Sequence, residues 1–214
     1  MNETDIQKLR HEYTKLSLDE SQVDPNPFNQ FRTWFQEAIK AKVAEPNAFN
    51  FATVDANGKP HQRILLLKGL EGDKFKFYTN YSSAKANEIV ANPNVSLNFF
   101  WMELERQVRI DGIARKLPLE ESEAYFRSRP HLSQIGAHSS NQSEVVPNRQ
   151  YLEEKFKENM DKFEEGNVPL PETWGGYEIV PNFFEFWQGR PSRFHDRITY
   201  RILDGNWEIK RLSP

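Results

Sequence analysis

Several cations and hydroxyls fall at spacings that could build an anion site. In Arg63-Ile64-Leu65-Leu66-Leu67-Lys68, a strand puts Arg63, Leu65 and Leu67 on one face and Ile64, Leu66 and Lys68 on the other. One ribbon then presents a cation on each side; the plainer reading is two solvated strand ends. Lys85 follows Ser82-Ser83, in the first turn of a capped helix, where backbone N–H groups and the dipole attract anions. It also reads as an ordinary exposed lysine. Tyr125, Arg129 and Ser133 are spaced i, i+4, i+8 about Pro130. If a helix ends there, two hydroxyls and a guanidinium converge on one dianion, with Arg as the bidentate donor. The alternative is a helix C-terminus with a dipole-favoured Arg. Residues 189–214 hold six Lys or Arg against three acids. Within them Arg193, His195 and Arg197 alternate, so on a strand they share a face and repel unless an anion lies among them. Trp187 is a stacking surface or core. The pattern fits one or two phosphorylated, planar ligands held without a glycine-rich loop, and names no reaction.

Other chemistries lack their residues. No Walker-type loop, Gly-x-Gly-x-x-Gly or Gly-x-Ser-x-Gly occurs. The chain has no cysteine, which excludes disulfides, zinc–thiolate sites and thiol nucleophiles. The five histidines, His11, His61, His131, His138 and His195, show no metal-ligand spacing. A formal charge of −3 argues against a dedicated nucleic-acid binder. The apolar run Ile64–Leu67 is far short of the roughly 20 residues of a membrane helix. Met1 to Arg10 is polar, without an apolar signal core. At 214 residues with 13% aromatics, the reading is one globular domain, expected in the cytoplasm.

The elements that must position these residues are mostly short strands. Residues 1–24 read as a mobile arm with a short helix. Asn26-Pro27 caps an amphipathic helix that buries Phe28, Phe31, Phe35, Ala38 and Ile39 and ends before Pro46. Residues 48–55 form a strand, Asn57-Gly58 a hairpin turn, 61–69 and 74–79 strands about the turn Glu71-Gly72-Asp73. A short helix after Ser82 or Ser83 stops at Asn92-Pro93. Strands follow near 95–102 and 106–116, then a helix from Pro118 towards Arg129. Residues 131–148 read as a loop, 149–165 as an acidic helix, and 176–181, 183–188, 196–203 and 206–212 as strands. Seven to nine hairpin-linked strands and about four helices, without a βαβ rhythm, point to an antiparallel barrel with helices outside.

These segments together resemble the pyridoxine/pyridoxamine 5′-phosphate oxidase family, from about Leu9 to Pro214. The resemblance rests on Arg63 to Lys68, Phe77-Tyr78-Thr79-Asn80, Leu104-Glu105-Arg106-Gln107, Tyr125 to Pro130, Ser133 to Ala137, Trp174-Gly175-Gly176, Glu185 to Gly189, Arg193-Phe194-His195-Asp196-Arg197 and Arg211 to Pro214. It implies an α+β, FMN-binding split β-barrel. Residues 1–24 would be the arm, 25–173 the core with peripheral helices, and 174–214 strands completing the barrel and a homodimer interface. The implied reaction oxidises pyridoxamine or pyridoxine 5′-phosphate to pyridoxal 5′-phosphate, dioxygen giving hydrogen peroxide. Neither nucleic acid, membrane nor metal is implied. The implied flavin contacts are Arg63, Ile64, Leu65, Leu66, Leu67, Lys68, Tyr78, Thr79, Lys85, Gln107, Gln142, Ser143, Trp187 and Arg197. The implied substrate contacts are Lys68, Tyr125, Arg129, Ser133, Arg193, Phe194 and His195, with Arg10, His11, Glu12 and Tyr13 from a segment that in relatives can fold over the ligand. Arg193 and His195 would be catalytic, His195 as a proton acceptor. Relatives commonly carry Arg before the lysine at position 85, where this chain has Ala84, so one flavin-phosphate cation is missing. Rival readings are a flavin reductase with another substrate on the same barrel, or a non-catalytic carrier of FMN or pyridoxal phosphate.

Overall fold

The computed structural model describes residues 8, 9 and 11–214. Among them lie five α-helices: α1 (Pro27–Lys40), α2 (Ala84–Ala91), α3 (Leu119–Ser128), α4 (His131–Ser139) and α5 (Arg149–Lys162). The strands are β1 (Ala48–Val54), β2 (Pro60–Leu66), β3 (Gly69–Glu71), β4 (Lys74–Asn80), β5 (Asn94–Trp101), β6 (Arg106–Lys116), β7 (Trp174–Gln188), β8 (Asp196–Leu203) and β9 (Asn206–Leu212). They form one sheet in the order β2-β1-β5-β6-β7-β4-β3, with β8 paired to β7 and β9 to β8. The fold class is the expected one, antiparallel α+β of the split-barrel type.

Local chemistry explains most boundaries. Asn26 Oδ1 accepts the Phe28 N–H at 2.8 Å, and Pro27 supplies the fixed φ of a first helical residue. The buried stripe of α1 is Phe28, Phe31, Trp34 and Ala38. Trp34 replaces the expected Ile39, which is 53% exposed. At the β1–β2 turn the Asp55 N–H donates to Lys59 O at 3.0 Å, and Gly58 has φ +80°, a conformation glycine adopts without steric cost.

The described residues form two compact units. One comprises residues up to Asn50, with Ser96–Asp111 and Pro181–Pro214. Its core includes Phe31, Phe49, Phe99, Phe184 and Phe186, each at most 2% exposed. The other comprises Phe51–Val95 and Gly112–Val180, cored by Phe51, Phe75, Phe77, Phe126 and Ile135. Burying one such side chain contributes roughly 1.5–3 kcal/mol.

Three expectations change. The strand read as 61–69 ends at Leu66; beyond it the Lys68 N–H donates to Lys76 O at 2.9 Å, placing Lys68 in the break before β3. Residues 131–148 are not all loop, because α4 forms directly after Pro130 and buries Ile135 and Gln134. Its Ser, His and Gln content hides a short apolar face. The Gln134 amide ties it back to Arg129 O at 2.8 Å. The two strands read at 176–181 and 183–188 are one, β7. Trp174 to Ile179 pair with β4 and Phe183 to Gln188 with β8, so Pro181 falls between the two registers. Of the expected arm, residues 1–7 and 10 lie outside the described residues, and the short helix expected there with them; between residues 11 and 26 no helix occurs. Leu18 is buried and its N–H donates to Asp196 at 3.0 Å. Arg211 donates to Leu18 O at 2.9 Å, and Tyr200 to Asp24 O at 2.7 Å.

Candidate functional site

A cavity of about 610 Å³ opens between β2, β4, the α3–α4 junction and α4. It gathers Ile64, Leu65, Leu66, Lys68, Tyr78, Thr79 and Gln142 of the expected flavin set, and Lys68, Tyr125, Arg129 and Ser133 of the expected substrate set. The convergence about Pro130 comes from backbone conformation. Arg129 precedes a proline and is extended, with φ −74° and ψ 150°, as the proline ring requires. Its guanidinium therefore leaves the helix and lies 4.7 Å from the Trp174 ring centroid. Tyr78 stacks on Tyr125 at 3.8 Å and on Trp174 at 5.6 Å, nearly parallel to both.

The electrostatics favour an anion here. Arg129 Nη1 is buried and has no hydrogen-bond partner, a costly state for a charged donor. Burial holds the Arg129 guanidinium below its ordinary value. Burial also raises both tyrosines, Tyr78 to about 12. Both hydroxyls therefore stay protonated and able to donate at neutral pH.

A second cation group lies in the same unit. Lys85, 8% exposed, reaches Gln142 Oε1 at 2.6 Å, Thr79 Oγ1 at 3.2 Å and Ser83 Oγ at 3.3 Å. All three partners are neutral. Burial, then the charge of Arg63, pulls the ammonium down to about 8. Arg63 pairs with Glu88 at 2.9 Å and also donates to Thr53. Ser143, at φ +78°, accepts the Ala84 N–H at 3.2 Å. Ser83 occupies the N-cap position of α2 without a side-chain cap bond; its hydroxyl serves Lys85 instead. A guanidinium with a buried, unpartnered Nη1 and an ammonium hydrogen-bonded to neutral oxygens fit phosphate groups.

A separate cavity of about 730 Å³ is lined by Leu9, His11, Glu12, Tyr13, Arg190, Ser192, Arg193 and His195. Here the expected alternation fails. β8 begins only at Asp196, so Arg193, His195 and Arg197 are not three residues of one strand. Arg193 lies in a 3-10 turn, where Ser192 and Arg193 have φ +56° and +63°. Left-handed conformations cost a non-glycine residue roughly 1–2 kcal/mol each. His195 Nδ1 accepts the Arg190 N–H at 3.1 Å, which leaves the ring proton of the neutral form on Nε2. Burial, then the Arg193 charge, lowers its pKa. The ring lies 4.6 Å from Trp187 and 5.9 Å from Tyr13. Arg197 turns to Glu185, donating through Nε at 2.7 Å, so its own charge is met by a buried carboxylate of the chain.

The remaining expected residues line neither cavity. Lys85 reaches the lining residues Thr79 and Gln142, Arg63 pairs with Glu88, and Leu67 is buried. Ser143 accepts the Ala84 N–H, the Trp187 ring lies against His195 and Tyr13 of the second cavity's lining, Arg197 is turned to Glu185, and Phe194 is 78% exposed. Arg10 lies outside the described residues. Residues missed by spacing include Trp174 and Asn80 in the first cavity and Arg190 in the second. The first two sit inside quoted motifs, the only sequence signal that marks them.

Residues 35–159 match the family model described as pyridoxamine 5′-phosphate oxidase. Residues 174–214 match that of the pyridoxine 5′-phosphate oxidase C-terminal dimerisation region. A protein of Cupriavidus taiwanensis named pyridoxine/pyridoxamine 5′-phosphate oxidase is 51% identical, over 99% of this chain and 100% of its own. One of the same name from Rippkaea orientalis is also 51% identical, over 98% and 100%. The crystal structure of PhzG from Burkholderia lata 383, in complex with tetrahydrophenazine-1-carboxylic acid, superposes with a TM-score of 0.89. At 24% identity, covering 95% of this chain and 100% of that one, it shows the shared fold. With half its residues identical along its length to such relatives, the chain belongs to the pyridoxamine 5′-phosphate oxidase family.

Proposed function

We propose that the chain is an FMN-dependent oxidase that converts pyridoxamine 5′-phosphate and pyridoxine 5′-phosphate to pyridoxal 5′-phosphate. Dioxygen is the final acceptor and hydrogen peroxide the by-product; the amine substrate also consumes one water and releases ammonia. The identity of the relatives supports the reaction, and the dimerisation-region match supports a homodimer. The observation that carries it is the buried, partnerless Nη1 of Arg129 in one cavity with Lys68, Tyr125 and Ser133. That donor set suits one phosphate dianion.

Bound FMN supplies the hydride acceptor, and the protein binds and orients. In this reading Lys68, Tyr125, Arg129 and Ser133 hold the substrate phosphate, so binding energy far from the reacting carbon fixes the ring position. Arg63, Lys85, Gln142 and Ser143 hold the flavin phosphate. With Ala84 contributing no cation, Lys85 and Arg63 carry that charge. Arg193 would orient the substrate ring substituents.

His195 takes a different role from the expected one. Its Nδ1 lone pair is engaged by the Arg190 N–H, and its lowered pKa keeps it neutral. It presents Nε2–H, a donor, to a substrate oxygen or nitrogen and is not set to accept a proton. Among the described residues none lines both cavities; assembly of the homodimer is the proposed means of uniting the two substrate-binding sets. The cytoplasm is the proposed compartment, which cell fractionation checks.

The test is direct. The purified protein should be yellow, release FMN on denaturation, and bleach with pyridoxamine 5′-phosphate under nitrogen. In air it should release one peroxide per aldehyde. A flavoprotein that does not bleach with this substrate overturns the reading.

A further inference from the structure

We infer that Glu105 is a positioning residue: its buried carboxylate fastens the backbone of residues 14 and 15, and so sets Tyr13 against His195 on the wall of the second cavity. Its catalytic meaning rests on the proposed oxidase function; the fastening itself does not.

Glu105 is 1% exposed, yet ends a 3-10 turn with φ +56°, where glycine would be the less strained residue. A side chain kept there against its backbone preference needs a use. One oxygen, Oε2, accepts two consecutive N–H groups, from Thr14 at 2.9 Å and Lys15 at 3.0 Å. The other lies 3.5 Å from His11 Nε2. Among the described residues no lysine or arginine pairs with it. The neighbouring Arg106 is committed to Glu37 and, at 2.9 Å, to Gln188. The carboxylate is thus satisfied by the N-terminal segment. Lys15 adds a second tie, donating from Nζ to Glu103 O at 2.6 Å.

The other side of Tyr13 also depends on residue 105. Gly189 donates its N–H to Glu105 O at 2.7 Å. A Cβ at 189 would meet Tyr13 Cγ at 2.6 Å, so the ring lies directly on that backbone. Tyr13 stands edge-on to Trp187 at 5.6 Å and to His195 at 5.9 Å. One residue therefore holds the segment by its side chain and the platform beneath Tyr13 by its carbonyl. Charge-assisted bonds to backbone N–H groups are about twice as strong as neutral ones, so the amide isostere should loosen the segment while filling the same space.

The experiment compares Glu105→Gln, Thr14→Pro and the double variant in the full-length, FMN-loaded enzyme. Hydrogen exchange at residues 14 and 15 is read without substrate, then KM and kcat with pyridoxamine 5′-phosphate. Glu105→Gln should raise exchange at both amides at least tenfold and raise KM about tenfold, with FMN affinity unchanged. Thr14→Pro removes one donor without touching Glu105; it should raise exchange at residue 15 and KM similarly. The double variant should be no worse than the worse single one, since both break one latch. Unchanged exchange and KM in Thr14→Pro overturn the inference, even if Glu105→Gln fails to fold. So do additive losses in the double variant. A wild-type enzyme that protects both amides but does not turn over this substrate would sink the proposed function and leave the latch standing.

Discussion

Arg129→Met separates binding from stability at one residue. The guanidinium is buried over Trp174 with Nη1 unpartnered. If that group waits for the substrate phosphate, its removal deletes a charge-assisted contact worth about 1.5–3 kcal/mol. At 1.4 kcal/mol per factor of ten, kcat/KM for pyridoxamine 5′-phosphate should fall roughly 10- to 150-fold, mostly through KM. The folded apoprotein should respond in the opposite direction. An unsatisfied buried donor costs about 1–3 kcal/mol, and the lost contact of the cation with the Trp174 face is worth about 0.5–2 kcal/mol. Methionine fills much of the same space and makes its own sulfur–aromatic contact. The apoprotein melting temperature should therefore stay level or rise; each net kcal/mol is worth about 2–4 °C in a chain of this size. Peroxide-coupled kinetics and a thermal melt of flavin-free protein read the two halves. An unchanged KM, or a fall in melting temperature beyond about 5 °C, would refute the reasoning, because Arg129 would then be part of the structure and not a waiting ligand.

Arg193→Ala should lower turnover more than tenfold while the protein remains yellow; near-normal turnover removes Arg193 from the substrate. Lys85 titrates near 8, against 10.5 in the unfolded chain, so between those values the unfolded chain binds more protons and apoprotein stability rises with pH. Binding of FMN needs the charged form, so its affinity should fall by up to tenfold per pH unit above about 8; a flat fluorescence titration from pH 7 to 10 contradicts this. Gly189→Ala places a Cβ 2.6 Å from Tyr13 Cγ and should raise KM severalfold with the flavin still bound. An unchanged KM would show that the Tyr13 contact does not matter to substrate.

Legibility in the sequence followed the range of the interaction. Asn26-Pro27, Asn57-Gly58 and Glu71-Gly72-Asp73 set boundaries through bonds within a few residues, and the turns fall where expected, although the strand read as 61–69 breaks after Leu66. The strands 196–203 and 206–212 coincide with β8 and β9, because strand patterning is a local signal too. The same holds for Tyr125, Arg129 and Ser133, since Pro130 dictates the extended conformation that brings them together. α4 was hidden because its apolar face is chiefly Ile135, and that face has meaning only against Phe126 and Trp174.

What the sequence by itself determined was therefore the class of fold, the set of charged and hydroxyl groups available for phosphate, and the family those motifs mark. Tertiary structure alone decided their states. It left Arg129 Nη1 without a partner and wrapped Lys85 in neutral oxygens. It turned Arg197 onto Glu185, gave the Nδ1 lone pair of His195 to Arg190, and tied Thr14 and Lys15 to Glu105 some 90 residues away. Each of these depends on desolvation and on contacts between distant segments. A residue's type and spacing carry neither, because both arise only once the chain has closed around the group.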